Sequence, residues 1–202
     1  MPSFASDPEA ALKNYWKLGY HIETGIWEEE QLDEIIQASQ DFPSFKDGTY
    51  APLMQPHRSD SVFLAALRNP NIVKIMEQLC SGQVSGLQSE FFYGKPGTPG
   101  FTEHQDNSFL EAKPDSFASA WTAMQDVTAD MGALVGYLGS HREPVLPIVK
   151  VESHDQSLSQ DPNANHEEVV LPSDYESLPL TMPRGSVLFI HSHFVHSSGG
   201  NT

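Results

Sequence analysis

The chain has 202 residues, of which 39% are apolar, so it is long enough and hydrophobic enough to form one domain with a buried core. Its 27 acidic and 11 basic residues give a formal net charge of −16, which disfavours binding to nucleic acid or anionic membrane surfaces. The sequence has no apolar run of membrane-spanning length, no secretory pattern at its first residues and one cysteine, Cys80, so an internal disulfide is excluded. We therefore expect a cytoplasmic protein with neither a membrane nor a nucleic-acid partner.

Helical periodicity dominates the first 80 residues. Ser6 and Pro8 mark the start of a first helix, and Gly19 marks its end. A short extended piece, GYHIETG, precedes a second helix in WEEEQLDEIIQASQ, whose acidic residues lie at the favourable N-terminal end. A third helix is predicted in NPNIVKIMEQLC, where the apolar residues form one stripe. These stripes predict core packing and no chemistry.

From about Ser81 onward, short β-prone runs alternate with Gly and Pro, which predicts an antiparallel sandwich or barrel with the helices packed outside. The expected fold is therefore mostly β with flanking helices, in a single domain over residues 1–202. Residues 1–80 are predicted to form its helical part and residues 81–202 its barrel core. A long polar stretch from about Glu143 to Pro183 is predicted to cover the barrel mouth and to set substrate selectivity.

His104 and Asp106 form a candidate metal-binding doublet, because residues two apart on a strand point to the same face. A second histidine from a distant strand would complete a facial triad, which leaves three positions open on Fe(II) for a cosubstrate and O₂. A doublet alone is weak evidence, because the chain contains three comparable His-x-Glu doublets. These are His21–Glu23, His141–Glu143 and His166–Glu168. The last two are expected to be solvated pairs in or beside the polar stretch.

Three longer segments carry a more specific signal: EFFYGKPGTPGFTEHQDNSF, PDSFASAWTAMQDVTADMGALVGYLGSH and GSVLFIHSHFVHSSGGN. In order, spacing and residue types, the stretch from about Leu87 to Asn201 resembles the phytanoyl-CoA dioxygenase family of Fe(II)/2-oxoglutarate oxygenases. The resemblance implies a double-stranded β-helix, which is a jelly-roll or cupin-like barrel. It also implies Fe(II), 2-oxoglutarate as cosubstrate and O₂. The implied reaction hydroxylates an unactivated C–H bond of a small-molecule substrate while 2-oxoglutarate is decarboxylated to succinate.

The resemblance assigns the metal-binding and catalytic roles to His104, Asp106 and His196, which we expect on strands that approach from opposite sheets. His191 and His193 are not expected to be ligands, because an iron triad needs no fourth side chain. Strand parity agrees in part, since on a regular strand His191 and His193 would share one face and His196 would lie on the other. Asp106 favours hydroxylation, because related halogenases lack this carboxylate. Three further residues are implied to contact the cosubstrate, namely Trp121, Ser198 and Gln88.

The sequence departs from the family pattern at its end. The arginine that pairs with the far carboxylate of 2-oxoglutarate would lie beyond Thr202, and neither Arg142 nor Arg184 occupies its place. We therefore expect a truncated barrel without its final strand, weak 2-oxoglutarate turnover, and homo-oligomers formed through an open barrel edge beside Val187–Ile190. Two alternatives stay open. One is a truncated barrel that binds a metal or small ligand without turnover, and the other is a metal-dependent cupin whose motif begins in GSVLFIHSH.

Overall fold

The computed structural model describes residues 1–98, 100–113, 115–150, 167–172 and 175–202. Within these ranges the helices are α1 (Pro8–Leu18), α2 (Glu29–Ser39), α3 (Pro43–Lys46), α4 (Ser61–Leu67) and α5 (Pro70–Leu79). The strands are β1 (Tyr20–Glu23), β2 (Leu53–Met54), β3 (Glu90–Phe91), β4 (Ala118–Thr122), β5 (Leu134–Tyr137), β6 (Ile148–Lys150), β7 (Glu167–Val169), β8 (Ser177–Pro179), β9 (Val187–His191) and β10 (His196–Ser198). None of the described helices combines the length and apolar character that crossing a membrane requires.

Local sequence signals determine where the helices begin and end. The side chain of Asp7 accepts a hydrogen bond from the backbone N of Ala10 at 3.0 Å and so caps α1, one residue after the predicted start. Asp60 and Asn69 cap α4 and α5 in the same way. Helix α1 ends at Gly19, which adopts a left-handed conformation with φ of 90°. The three helices predicted from periodicity are all present.

Two three-stranded antiparallel sheets, β1-β9-β4 and β10-β5-β8, form the barrel. Strand β9 is buried along its whole length, and its side chains alternate between two cores. Leu188 and Ile190 belong to an inner core that also contains residues of the second sheet, such as Leu180, whereas Val187 and Phe189 pack against residues of α1 and α5. The helices therefore lie outside the barrel, and the predicted fold class is confirmed.

The structure corrects two expectations about the barrel edges. Strand β1 lies within the first 80 residues, yet it pairs with β9 from Tyr20 opposite Ile190 to Glu23 opposite Val187. The N-terminal part is therefore not purely helical, because it supplies a barrel strand. Strand β9 pairs with β4 along its other side, so the prediction of an open edge beside Val187–Ile190 was wrong. The formation of homo-oligomers through another barrel edge stays a prediction.

The polar stretch from Glu143 to Pro183 contains more regular structure than predicted. Strands β6 and β7 form a hairpin, and β8 joins the second sheet, where the following residues Leu180 and Met182 are buried in the inner core. The backbone N of Val169 in β7 donates to the carbonyl O of Glu103 at 2.9 Å, so the hairpin lies beside the chain that leads into His104. Residues 151–166 and 173–174 lie outside the described ranges. A role of this stretch in selectivity stays a prediction.

Candidate metal centre

His104, Asp106 and His196 converge at one point of the barrel. Each offers one ligand atom, and these atoms all lie within 4.8 Å of one another. His196 opens β10, and His104 forms an isolated antiparallel bridge with it, with backbone N–H···O distances of 2.9 and 3.0 Å. The two histidines are therefore direct neighbours, and the expectation that they approach from opposite sheets was wrong.

Strand alternation does not explain the doublet either. Only His104 has strand pairing, because Asp106 begins a single 3₁₀ turn that extends to Phe109. The turn brings the Asp106 carboxylate to the same side as the two imidazoles, with its Oδ1 at 3.8 Å from Nε2 of His104 and 3.6 Å from Nε2 of His196. Likewise, β9 ends at His191 and a turn separates it from β10, so the parity predicted for residues 191–196 does not apply.

Both histidines are oriented with Nε2 towards the cluster. Nδ1 of His104 lies 2.8 Å from the carbonyl O of Thr102, and Nδ1 of His196 lies 3.0 Å from the carbonyl O of Phe194. A carbonyl oxygen only accepts hydrogen bonds, so each Nδ1 carries the proton and each Nε2 of a neutral ring presents its lone pair. Backbone carbonyls fix the tautomer of metal-ligating histidines in the same way.

The three groups fit a divalent metal ion. Nε2 of each histidine and Oδ1 of Asp106 face one another, and Oδ1 is too far from either nitrogen for a hydrogen bond, so no hydrogen bond between these residues occupies the three atoms. Donor atoms about 2.1 Å from a shared ion lie at most about 4.2 Å apart, and the two distances to Asp106 satisfy this limit. Burial, together with the neighbouring His196, lowers the pKa of His104 to about 4, which keeps this ring neutral near pH 7.

Ser119 supports the carboxylate and was missed by the sequence analysis. Its hydroxyl donates to Oδ2 of Asp106 at 2.5 Å and leaves Oδ1 to face the histidines. Ser119 belongs to β4, and the contact depends on how β4 lies against the 3₁₀ turn. No local spacing signal marks such a contact, because the two residues come from separate elements.

The other histidines that were considered as metal ligands make hydrogen bonds elsewhere in the protein. Nε2 of His191 bonds Asp115 at 2.9 Å, and Nε2 of His193 bonds Asn107 at 2.8 Å, so the His-x-His pair that would begin a cupin motif does not converge on one point. His21 is buried and bonds Glu23 at 2.8 Å, and that carboxylate also accepts from Ser3. This doublet anchors the N-terminal segment.

His141 is buried, contrary to the expectation of a solvated pair with Glu143. Its Nε2 donates to the carbonyl O of Trp16 at 3.1 Å, while the Glu143 carboxylate accepts a hydrogen bond from the hydroxyl of Tyr175. The doublet at His166 falls outside the described residues. Within the described ranges, His104, Asp106 and His196 are the one group of three such side chains close enough to share an ion.

Of the three residues expected to contact the cosubstrate, Trp121 and Ser198 lie on barrel strands and Gln88 lies on the surface. Trp121 is half-buried on β4, two residues after Ser119 and thus on the same strand face, where it packs against the inner core. Ser198 on β10 accepts a hydrogen bond from the backbone N of Phe101 at 2.8 Å. Gln88 is exposed, precedes β3 instead of opening a strand, and bonds Glu90 at 2.7 Å. No described contact of Gln88 involves the metal cluster.

The sheet order and the cluster together define a jelly-roll barrel with a candidate facial triad. The sequence profile of the phytanoyl-CoA dioxygenase (PhyH) family matches residues 28–202, and the chain belongs to this family. It is 28% identical over 149 residues to phytanoyl-CoA dioxygenase 1 of Oryza sativa subsp. japonica, which covers 72% of this chain and 50% of the relative. It is 31% identical over 117 residues to phytanoyl-CoA dioxygenase of Arabidopsis thaliana, covering 57% of this chain and 38% of that protein.

Solved structures share the fold. The non-heme alpha-ketoglutarate-dependent carbocyclase SnoK superposes with a TM-score of 0.73 at 18% identity, over 96% of this chain and 78% of that one. The epimerase SnoN, in complex with Fe³⁺, alpha-ketoglutarate and nogalamycin RO, gives a TM-score of 0.72 at 16% identity, over 96% of this chain and 77% of that one. At these identities the similarity establishes the double-stranded β-helix. The chain spans about half the length of the rice relative and less than half the length of the Arabidopsis relative.

Proposed function

We propose that the chain is an Fe(II)- and 2-oxoglutarate-dependent dioxygenase that hydroxylates a C–H bond of a small molecule. In this reaction 2-oxoglutarate is converted to succinate and CO₂, and one oxygen atom of O₂ enters succinate while the other enters the product. The observation that carries the proposal is the convergence of His104, Asp106 and His196, each of which directs one potential ligand atom to the same point. Membership of the phytanoyl-CoA dioxygenase family supports the same reaction class.

His104, Asp106 and His196 would hold Fe(II) through two imidazole nitrogens and one carboxylate oxygen. This donor set suits Fe(II) and occupies three positions, which leaves three for exogenous ligands. When bound, Fe(II) supplies the centre at which 2-oxoglutarate and O₂ react. Thr102 and Phe194 keep the imidazole protons away from the ion through their carbonyl groups, and Ser119 orients the carboxylate.

Ser198 and Trp121 are the residues we propose for cosubstrate binding. The Ser198 hydroxyl oxygen accepts from the backbone N of Phe101, so its own proton stays available for a carboxylate of 2-oxoglutarate. Trp121 shares its strand face with Ser119, which itself reaches Asp106. Gln88 is not included, because it is exposed and bonds Glu90.

The test measures metal binding and cosubstrate consumption separately. Wild-type protein should bind Co(II), a redox-inert substitute for Fe(II), at one site. With Fe(II), O₂ and ascorbate, which supplies the two electrons that a substrate would otherwise give, it should convert 2-oxoglutarate slowly to succinate. Asp106→Ala should lose both properties. Asp115→Asn is the matched control, because Asp115 also pairs with a histidine, at 2.9 Å, but lies outside the cluster. Metal binding without succinate formation would favour a barrel that binds ligands without turnover.

A further inference from the structure

We propose that His193 is a positioning residue of the metal centre, which holds both neighbours of Asp106 and ties them to the turn that precedes His196. The inference rests on the proposed metal site and adds to it a residue that is not a ligand. His193 is 8% exposed, lies between the two barrel strands β9 and β10, and uses both ring nitrogens and both backbone polar groups in hydrogen bonds.

The residues on either side of Asp106 are more deeply buried than Asp106 itself. Gln105 and Asn107 are 0% and 1% exposed, whereas the Asp106 side chain is 21% exposed. A buried polar side chain must have its hydrogen bonds made by the protein, so these two amides fix the backbone from which the carboxylate projects. The hydrogen bonds of the Gln105 and Asn107 side chains therefore determine the position of Asp106.

Both neighbours bond His193. The amide nitrogen of Gln105 donates to the carbonyl O of His193 at 2.8 Å, and the amide nitrogen of Asn107 donates to Nε2 of the His193 ring at 2.8 Å. The backbone N of Asn107 also donates to the carbonyl O of Ser192 at 2.9 Å. Gln105 reaches further to the Leu146 backbone N at 2.7 Å. The 3₁₀ turn is thus held on both sides by residues of the β9–β10 turn.

The chemistry of the contacts requires a neutral imidazole. Asn107 donates to Nε2, so Nδ1 carries the ring proton and donates to the carbonyl O of Glu143 at 3.0 Å. The ring therefore accepts on one side and donates on the other, which an apolar side chain of similar size cannot do. His196 follows His193 by three residues. The β9–β10 turn therefore positions both the Asp106 carboxylate and the His196 imidazole.

The experiment compares three variants by Co(II) titration, by the visible spectrum of the bound Co(II), and by urea unfolding. His193→Leu keeps most of the volume but removes the ring hydrogen bonds. We expect a loss of Co(II) affinity of about tenfold with an altered spectrum, at the lower end of the effect known for residues that bond metal ligands directly, because His193 acts through the neighbours of Asp106. His193→Gln keeps a donor and an acceptor and should recover most of the affinity and the wild-type spectrum. These two readouts respond to ligand geometry and not to stability alone.

His21→Leu is the control for stability. His21 is fully buried and bonds Glu23, but none of its described contacts involves the cluster or the β9–β10 turn. We expect it to lower the urea midpoint while leaving the Co(II) affinity and spectrum unchanged.

Wild-type affinity and spectrum in folded His193→Leu would overturn the inference and leave the metal site intact. Wild-type protein that does not bind Co(II), or Asp106→Ala that binds it equally well, would overturn the metal site itself. If His193→Leu does not fold, Asn107→Ala removes the same ring contact, and unchanged Co(II) affinity there overturns the inference.

Discussion

The hydroxyl of Ser119 is the one side-chain donor that the described contacts give to the Asp106 carboxylate. Replacing Ser119 with Ala removes this hydrogen bond and frees the carboxylate to rotate away from the histidines. We predict that Ser119→Ala lowers Co(II) affinity by about tenfold, the lower end of the effect of such partners. The measurement is a Co(II) titration, with Ser116→Ala as control, because the one described hydrogen bond of the Ser116 hydroxyl stays within its own turn, at the carbonyl O of Lys113. Equal affinity in both variants would contradict the role assigned to Ser119.

The buried His141 makes the stability of the protein depend on pH. Burial lowers the pKa of His141 to about 4, against about 6.5 for an unfolded chain. The nearby His191 and Arg142 also lower the pKa, while the hydrogen bond to the carbonyl O of Trp16 and the charge of Asp115 oppose them. Between these values the unfolded chain binds a proton that the folded chain does not, so stability falls as the pH falls from about 6.5 towards 4.

The expected size of this effect is on the order of 1–2 kcal/mol of unfolding free energy between pH 7 and pH 5. Urea unfolding at the two pH values measures it. His141→Gln should be less sensitive to this change of pH than wild type, whereas His57→Gln, which alters a half-buried histidine bonded to Ser89, should behave like wild type. A His141→Gln protein with undiminished pH sensitivity would assign the effect to other groups, such as the buried His191, whose pKa is also lowered by burial.

Residue identities in the cluster could be predicted, but their supporting contacts could not. His104, Asp106 and His196 were found through the order and spacing of three segments, which a linear sequence records. Ser119 and His193 act through contacts between elements, and no spacing rule connects either of them to Asp106. The His-x-His pair even suggested a different metal motif, because sequence alone does not give the orientation of a side chain.

The junction between α1 and β1 depends on a glycine. Gly19 has φ of +90°, and a Cβ atom there would lie 2.6 Å from Nδ1 of His141 and 2.6 Å from Cδ2 of Phe194. Gly25 also has positive φ, at +69°, but a Cβ there would meet nothing within 4 Å. The two positions therefore separate backbone strain from steric overlap.

We predict that Gly25→Ala destabilises the protein by about 1 kcal/mol, which is the cost of holding alanine in a left-handed backbone conformation without any steric overlap. Gly19→Ala should destabilise it by about 2 kcal/mol more, because the added methyl group overpacks the contact between α1 and the β9–β10 turn. Chemical denaturation of both variants measures the difference. Equal losses would mean that His141 and Phe194 move aside without penalty, which would contradict the close packing of this junction.

The helices were predicted well, because their sequence patterns are local. The strands were predicted less well, because their positions depend on pairing with distant segments of the chain. The three helices follow from apolar periodicity and capping residues. The segment around His104 was expected to be a strand, but only one residue pairs and Asp106 starts a 3₁₀ turn. Strand β1 was correctly predicted as extended, yet its place beside β9 is a long-range pairing, and nothing within its four residues encodes the partner.

The metal site joins segments that are distant in sequence. The turn at Asp106 and strand β10 belong to different parts of the chain, and a bound ion would link them only in the folded state. Binding to the folded state alone raises stability by about 2.7 kcal/mol when the free ion is at 100 times its dissociation constant. For a chain of this size, such a gain corresponds to a rise in Tm of roughly 5–10 °C.

We therefore predict that Co(II) raises the Tm of the metal-free protein by this amount and that EDTA reverses the rise. Asp106→Ala should show no metal-dependent shift, because the remaining two imidazoles lack the carboxylate, whereas Asp115→Asn should respond as wild type does. The net charge of −16 makes this pair of variants necessary, since an acidic surface attracts divalent cations without a specific site. A shift of equal size in Asp106→Ala would assign the stabilisation to that surface, and only a shift that depends on Asp106 supports a metal centre in the barrel.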